Sequence, residues 1–192
     1  MSQLLLGAFP PELGPFLEAP PKGWQVACTG VGQLLAAVST ARLIQELRPS
    51  RVLFIGTCGH FDDRIKVGDI IWAAEAISSS VGEHRGESYR PVVERTHWPA
   101  TMAALPFPAQ RVVVPPAITR TRDGAALLGT LGETEHLELS GVFAACHAVD
   151  VPVGAVLIVV NEVGPNAQSE WMANHVKFSQ KLIQTLQELG TL

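Results

Sequence analysis

Val153-Gly154-Ala155-Val156-Leu157-Ile158-Val159-Val160 runs directly into Asn161-Glu162-Val163-Gly164-Pro165-Asn166. The first eight residues carry no polar side chain, the pattern of a strand covered on both faces of a sheet. Asn161 closes that strand and opens a polar turn. In α/β domains ligands bind beyond the carboxyl ends of the strands, so Asn161 stands where a ligand is expected. Its amide offers a donor and an acceptor together, the pair that reads the edge of a 6-oxopurine. Asn is also a good turn former, and taken alone the residue leaves both readings open.

On either side of this stretch, apolar runs alternate with helical patterns, which predicts an α/β chain. Residues 3–8, 24–29, 51–56, 69–77 and 111–114 read as further strands. Residues 33–47 predict a helix whose inner face is Leu34, Ala37, Val38, Ala41, Ile44 and Leu47, stopped by Pro49. Residues 123–128 predict a short helix capped by Asp123, and residues 141–149 a second. Residues 169–189 predict a long terminal helix, with Ser169 as cap, Phe178, Leu182, Leu186 and Leu189 as core stripe, and Gly190 as its end. Residues 78–108 have no clear period and read as a strand-and-loop excursion beside the site or at a subunit contact. No repeat or linker divides the 192 residues. One domain is expected, a three-layer α/β/α arrangement about a central mixed sheet.

Composition narrows the function classes. A net charge of -4 with scattered Lys and Arg gives no footprint for nucleic acid or an anionic membrane. No apolar run reaches the roughly 20 residues of a membrane-spanning helix. Met1-Ser2-Gln3-Leu4-Leu5-Leu6 has no basic residue before its apolar run and does not read as a signal peptide. Cys28, Cys58 and Cys146 are odd in number and lack C-x-x-C spacing, so free thiols and a cytoplasmic setting are expected. The six histidines form no H-x-x-x-H pair, and no metal site is expected.

Four segments carry chemically useful residues. Gly7-Ala8-Phe9-Pro10-Pro11-Glu12 joins a glycine, stiffening prolines and a carboxylate beyond them. On spacing alone Glu12 reads more simply as a solvated loop residue or a charge at a helix N-terminus. Gly56-Thr57-Cys58-Gly59 places small residues at a strand end, which is either room for a ligand or a plain tight turn. The Asn161 turn is the third. Leu137-Glu138-Leu139-Ser140-Gly141 sets a carboxylate at the entrance of an apolar helix, where the helix N-terminus alone would favour it.

As a set and in this order, the segments resemble the purine nucleoside phosphorylase/nucleosidase superfamily over nearly the whole chain. Thr29-Gly30-Val31-Gly32-Gln33 is similar to that family's second glycine loop. Gly56-Thr57-Cys58-Gly59 followed by Ile65-Lys66-Val67-Gly68-Asp69-Ile70-Ile71 resembles its most recognisable stretch. The tail Asn161-Glu162-Val163-Gly164-Pro165, with Trp171 after it, is similar to the futalosine hydrolase branch, which belongs to the alternative menaquinone pathway. The chain is shorter than most relatives, chiefly between residues 78 and 112, and Leu157 stands where some carry an arginine.

The resemblance implies a nucleosidase acting on a purine nucleoside, without metal or organic cofactor. Glu12 and Asn161 would be catalytic. Gly7, Ala8, Thr57, Cys58, Gly59, Leu137 and Glu138 would bind substrate. It also implies a homo-oligomer, read here as a dimer. Residues 1–21 contain neither Arg nor Lys, and Ile55 precedes the Gly56 segment where bacterial phosphorylases carry an arginine. A phosphate dianion would want those arginines, so water is the expected nucleophile. A methylthioadenosine/S-adenosylhomocysteine-type nucleosidase, a silent nucleoside binder and a dinucleotide module are the alternatives. The last rests on Gly30-x-Gly32, which lacks the third glycine of its fingerprint.

Overall fold

Side-chain alternation along strand β8 (Val153–Glu162) sorts the core into two clusters, one on each side of the sheet. Val153, Ala155, Leu157 and Val159 point into one cluster. Val156, Ile158 and Val160 point into the other. The computed structural model describes residues 2–92 and 94–192.

Strands β1 (Gln3–Gly7), β2 (Trp24–Cys28) and β3 (Val52–His60) precede β4 (Ile70–Ser78), β5 (His97–Pro99), β6 (Ala109–Val114) and the two-residue β7 (Thr134–Glu135). β2, β1, β3 and β8 lie side by side, all parallel. β8 runs antiparallel to β4, β4 parallel to β6, and β6 parallel to β7. β7 then meets the far end of β3 in antiparallel register, so five strands form a closed circuit. β5 adds to the remaining part of β4. The sheet is mixed, as expected, and its closure depends on β7, which is too short to leave a periodic signal.

Helices α2 (Gln33–Leu47) and α5 (Leu139–His147) cover the first cluster. The short α1 (Pro10–Leu13), a 3-10 turn at Gly14–Leu17 and the long α6 (Ala167–Glu188) cover the second. The remaining helices, α3 (Val81–His84) and α4 (Arg122–Leu128), are short. α3 and β5 give the 78–108 excursion its only regular structure among the described residues. None of the helices described is long and apolar enough to cross a membrane.

Several expectations are corrected by packing. On α2 the buried residues are Ala36, Thr40, Leu43 and Ile44, whereas Leu34 (75%) and Val38 (60%) are exposed, as is Ala41. The helix has two apolar arcs, and periodicity cannot say which one turns inward. The choice is made by α5, whose Gly141 approaches the α2 backbone so closely that an added Cβ would lie 2.1 Å from the Gln33 carbonyl. α4 is capped by Thr121, which accepts the Gly124 N–H at 3.1 Å, and Asp123 sits in the first turn. α6 begins at Ala167 with Asn166 at the cap position, and Ser169 donates to the Asn166 carbonyl instead of capping. Leu189 is 46% exposed, and Ile183 fills the stripe beside Leu182 and Leu186. α5 starts at Leu139, two residues earlier than the pattern suggested.

Gly141→Ala should destabilise the fold by about 1–3 kcal/mol, since the methyl group must push two packed helices apart. Urea unfolding of the two proteins measures this. An unchanged midpoint would mean the α2–α5 contact yields without cost.

Candidate active site

Because β1, β3 and β8 are parallel neighbours, their carboxyl ends reach the same edge of the sheet. A cavity of about 360 Å³ opens there. Eight of the nine residues expected at the site line it: Ala8, Glu12, Thr57, Cys58, Gly59, Leu137, Glu138 and Asn161. Gly7 does not. It is the last residue of β1, its carbonyl is taken by the Thr29 N–H at 2.9 Å, and the Leu13 side chain covers the place of a Cβ.

Glu12 is carried by α1 and is only 2% exposed, which rules out the solvated-loop reading. The Ala8 N–H donates to Oε2 at 2.9 Å. The Thr57 N–H and the Thr57 hydroxyl both donate to Oε1 at 2.8 Å. Gly56 makes room for this, because an added Cβ would lie 3.1 Å from Oε1. Burial pushes the Glu12 carboxyl up to about 7, against the pull of these hydrogen bonds and with a further push from the charge of Glu138. Desolvation is the larger effect, and it leaves a carboxyl that titrates near neutrality.

Gly56 to Gly59 is not a turn. β3 continues through His60, and its pairing with β8 slips between Cys58 and Gly59. That bulge sets Asn161 opposite Gly59. The Asn161 side chain then lies across Gly59, with Nδ2 2.7 Å from where a Cβ would be. Nδ2 donates one hydrogen to the Glu162 carbonyl at 2.9 Å, and the amide has no other partner among the described residues. A second N–H and the amide oxygen remain for a ligand.

Glu138 stands at the start of α5, buried, where Oε1 accepts the Gly32 N–H at 2.7 Å. This bond ties the glycine loop before α2 into the site. The Glu138 N–H donates to His136 Nδ1 at 3.1 Å, so that nitrogen carries no proton. Burial lowers the pKa of His136 despite the nearby Glu138 charge. The 3.3 Å approach of Glu138 Oε2 to His136 Nδ1 is therefore not an ion pair.

The wall includes residues that sequence reasoning did not place there. Trp171, on the first turns of α6, lines the cavity and donates its indole N–H to Thr57 Oγ1 at 3.2 Å. Glu135 lines it from β7, raised in pKa by burial, with Oε1 accepting the Thr119 N–H at 3.2 Å and Oε2 unpartnered. The Gly-Pro step before Trp171 was a visible signal for the first. Nothing in a two-residue strand signals the second.

Similarity to known proteins agrees with this geometry. The chain is 30% identical over 172 residues to the futalosine hydrolase of Streptomyces coelicolor (strain ATCC BAA-471 / A3(2) / M145), spanning 79% of this chain and 72% of that relative. The model of the phosphorylase superfamily matches residues 23–117. The chain belongs to the nucleoside phosphorylase/nucleosidase superfamily. It is also 28% identical over 142 residues to the 5'-methylthioadenosine/S-adenosylhomocysteine nucleosidase of Marinomonas sp. (strain MWYL1), covering 71% of this chain and 61% of that one. In fold it matches a futalosine hydrolase mutant of Helicobacter pylori strain 26695 with a TM-score of 0.82 at 16% identity, over 98% of this chain and 99% of that one. Within the superfamily the chain is an N-glycosyl hydrolase.

A carboxyl raised by folding contributes stability that is complete below its unfolded value and is lost as pH rises through its folded one. For Glu12 that window runs from 4.5 to about 7. Relative to wild type, Glu12→Gln should thus gain about 3 kcal/mol of stability between acid and mildly alkaline pH, on top of a constant offset from its amide facing Ala8 N–H. Denaturant titrations of both proteins from pH 4 to 8 test this. A difference that stays flat across the range would mean Glu12 titrates in the fold as it does in the unfolded chain.

Proposed function

We propose that this protein is a purine nucleosidase whose substrate is a 6-oxopurine nucleoside, futalosine, cleaved to hypoxanthine and dehypoxanthine futalosine in menaquinone biosynthesis. The observation that carries the proposal is the meeting of Glu12, Glu138 and Asn161 around one cavity at the strand ends. Water adds to C1′ as the C1′–N9 bond breaks, its electron pair leaving with the base and its proton passing to Glu12. A base that titrates near neutrality suits that transfer. Glu138 Oε2 faces the sugar, where a bond to the 2′-hydroxyl strengthens as positive charge develops on the ring. Asn161 donates its free amide N–H to O6 as negative charge builds on the departing hypoxanthine, which leaves as its anion and takes a proton from solvent.

Water rather than phosphate is the nucleophile. None of the cavity-lining residues is Arg or Lys, and His136, which burial keeps neutral, does not supply a cation. The reading as a methylthioadenosine/S-adenosylhomocysteine nucleosidase draws support from the Marinomonas relative, but Asn161 offers no proton to N7 of adenine. The homodimer is supported by the exposed apolar side chains of Leu34, Leu35 and Val38 on α2 and of Val31 in the loop before it. Val31 also lines the cavity, so a second copy on this face would border the site. The free cysteines are in keeping with a cytoplasmic setting.

Incubation with futalosine, methylthioadenosine and inosine, with and without phosphate, should release hypoxanthine from futalosine at a rate indifferent to phosphate. Adenine release from methylthioadenosine as the faster reaction would overturn the substrate assignment. Glu138→Ala should lower kcat/KM on the ribonucleoside by about 10- to 100-fold, a lost hydrogen bond to a charged group, and cost the 2′-deoxy analogue much less. Equal losses on both would remove Glu138 from the sugar.

Asn161→Asp should shift the preference for futalosine over its 6-amino analogue by about tenfold or more toward the amine, because an ionised Asp faces O6 acceptor to acceptor. An unchanged ratio of kcat/KM would mean that Asn161 only shapes the turn.

A further inference from the structure

Trp171 belongs to a cluster of three rings with Phe9 and His175. Its ring stacks on His175, one turn further along α6, with centroids 4.0 Å apart and planes 8° from parallel. Phe9 tilts against it at 5.5 Å. The indole N–H therefore has little freedom, and it lies 3.2 Å from Thr57 Oγ1.

An indole N–H can only donate, so Thr57 Oγ1 must accept from it. The single hydroxyl hydrogen of Thr57 is then left for Glu12 Oε1, 2.8 Å away. Oε1 also takes the Thr57 N–H, so both of its lone-pair sites are filled. Oε2 takes only the Ala8 N–H and keeps one site open. The chain of donors thus makes the two carboxylate oxygens unequal.

We propose that Trp171 is a positioning residue: by committing the Thr57 hydroxyl to Glu12 Oε1, it fixes Oε2 as the oxygen that receives the proton from water. The inference rests on Glu12 as the water-activating base. Hydrogen bonds in a chain strengthen one another, and a polarised Thr57 hydroxyl favours the ionised carboxylate. Without the indole N–H, the hydroxyl is free to turn and accept from a protonated Glu12, which favours the acid form. The other titratable groups around Glu12 are Glu138 at the start of α5, Glu135 and His136 from β7 and the turn after it, Cys58 on β3 and Cys28 on β2. Burial raises both thiols and keeps them protonated, and His175 sits behind the Trp171 ring with Nδ1 3.0 Å from the Trp171 carbonyl.

Trp171→Phe keeps an aromatic ring on His175 while deleting the donor. Its pH profile of kcat/KM should show the acid limb moved upward by about half a pH unit or more, with rates converging on wild type at high pH where Glu12 is ionised in both. A loss by one constant factor at every pH, with the limb unmoved, would make Trp171 a packing residue and overturn the proposal. Isotope-edited infrared titration of the Glu12 carboxyl reads the same link without turnover. An upward shift of its midpoint in Trp171→Phe supports the donor chain even where no nucleoside is cleaved, a result that would count against the nucleosidase reading alone. Identical midpoints would overturn the chain itself. In wild-type protein, which needs no variant to fold, the Trp171 indole N–H resonance should follow the Glu12 titration and lose that dependence in Glu12→Gln. A resonance that titrates identically in both proteins would overturn the link.

Discussion

The burial of Glu12 is the constraint around which the site is arranged. A carboxylate taken out of water needs donors to survive, and side chains that could donate are few at this position. Two of the three donors are main-chain N–H groups, one just past β1 and one on β3. They converge only because the two strands are parallel neighbours with their carboxyl ends level, and because Gly56 has no side chain to hold the carboxyl away. The donors are enough to keep the group in place but not enough to hold its pKa down. A fourth donor, or a nearby cation, would have left an ordinary acid that is ionised at every physiological pH and too weak a base to take a proton from water.

The other side of the cavity depends on a defect in the sheet. β8 is buried for nine residues, and an unbroken register with β3 would set Asn161 opposite His60, the last residue of that strand. The slip between Cys58 and Gly59 breaks that register and brings Asn161 level with a residue that has no side chain. The amide then lies flat over the neighbouring strand. Bulges recur beside active sites because they re-aim one side chain without disturbing the strand that carries it.

These two arrangements were unequally visible in the sequence. The strands of β3 and β8 are continuous apolar runs, and their carboxyl ends mark the site before any packing is known. The glycine-bearing segments around residues 7, 56 and 161 could therefore be placed at one edge. The inner face of α2 could not, because both of its arcs are apolar and the deciding contact is with Gly141, about a hundred residues away in the chain. β7 was invisible for a different reason: two residues have no period, yet they close the strand circuit and carry Glu135 and, next to it, His136 to the cavity wall. Trp171 falls in the stretch that reads as terminal helix and tail motif. Its hydrogen bond to Thr57 spans 114 positions and belongs to the tertiary structure alone.

The electrostatics of the cavity argue for the kind of transition state it serves. Glu12 and Glu138 share it without an arginine or lysine among the lining residues, and the charge of Glu138 helps to raise Glu12. Such a site repels an incoming phosphate dianion at short range, where few ions screen the repulsion. It does not repel water. On the proposed reading, positive charge builds on the sugar ring between these two carboxyl groups as the glycosidic bond breaks, and their mutual repulsion is relieved as that charge grows. An arrangement that is uncomfortable when empty becomes favourable only in the transition state, which is the condition for an interaction to accelerate a reaction instead of merely tightening binding.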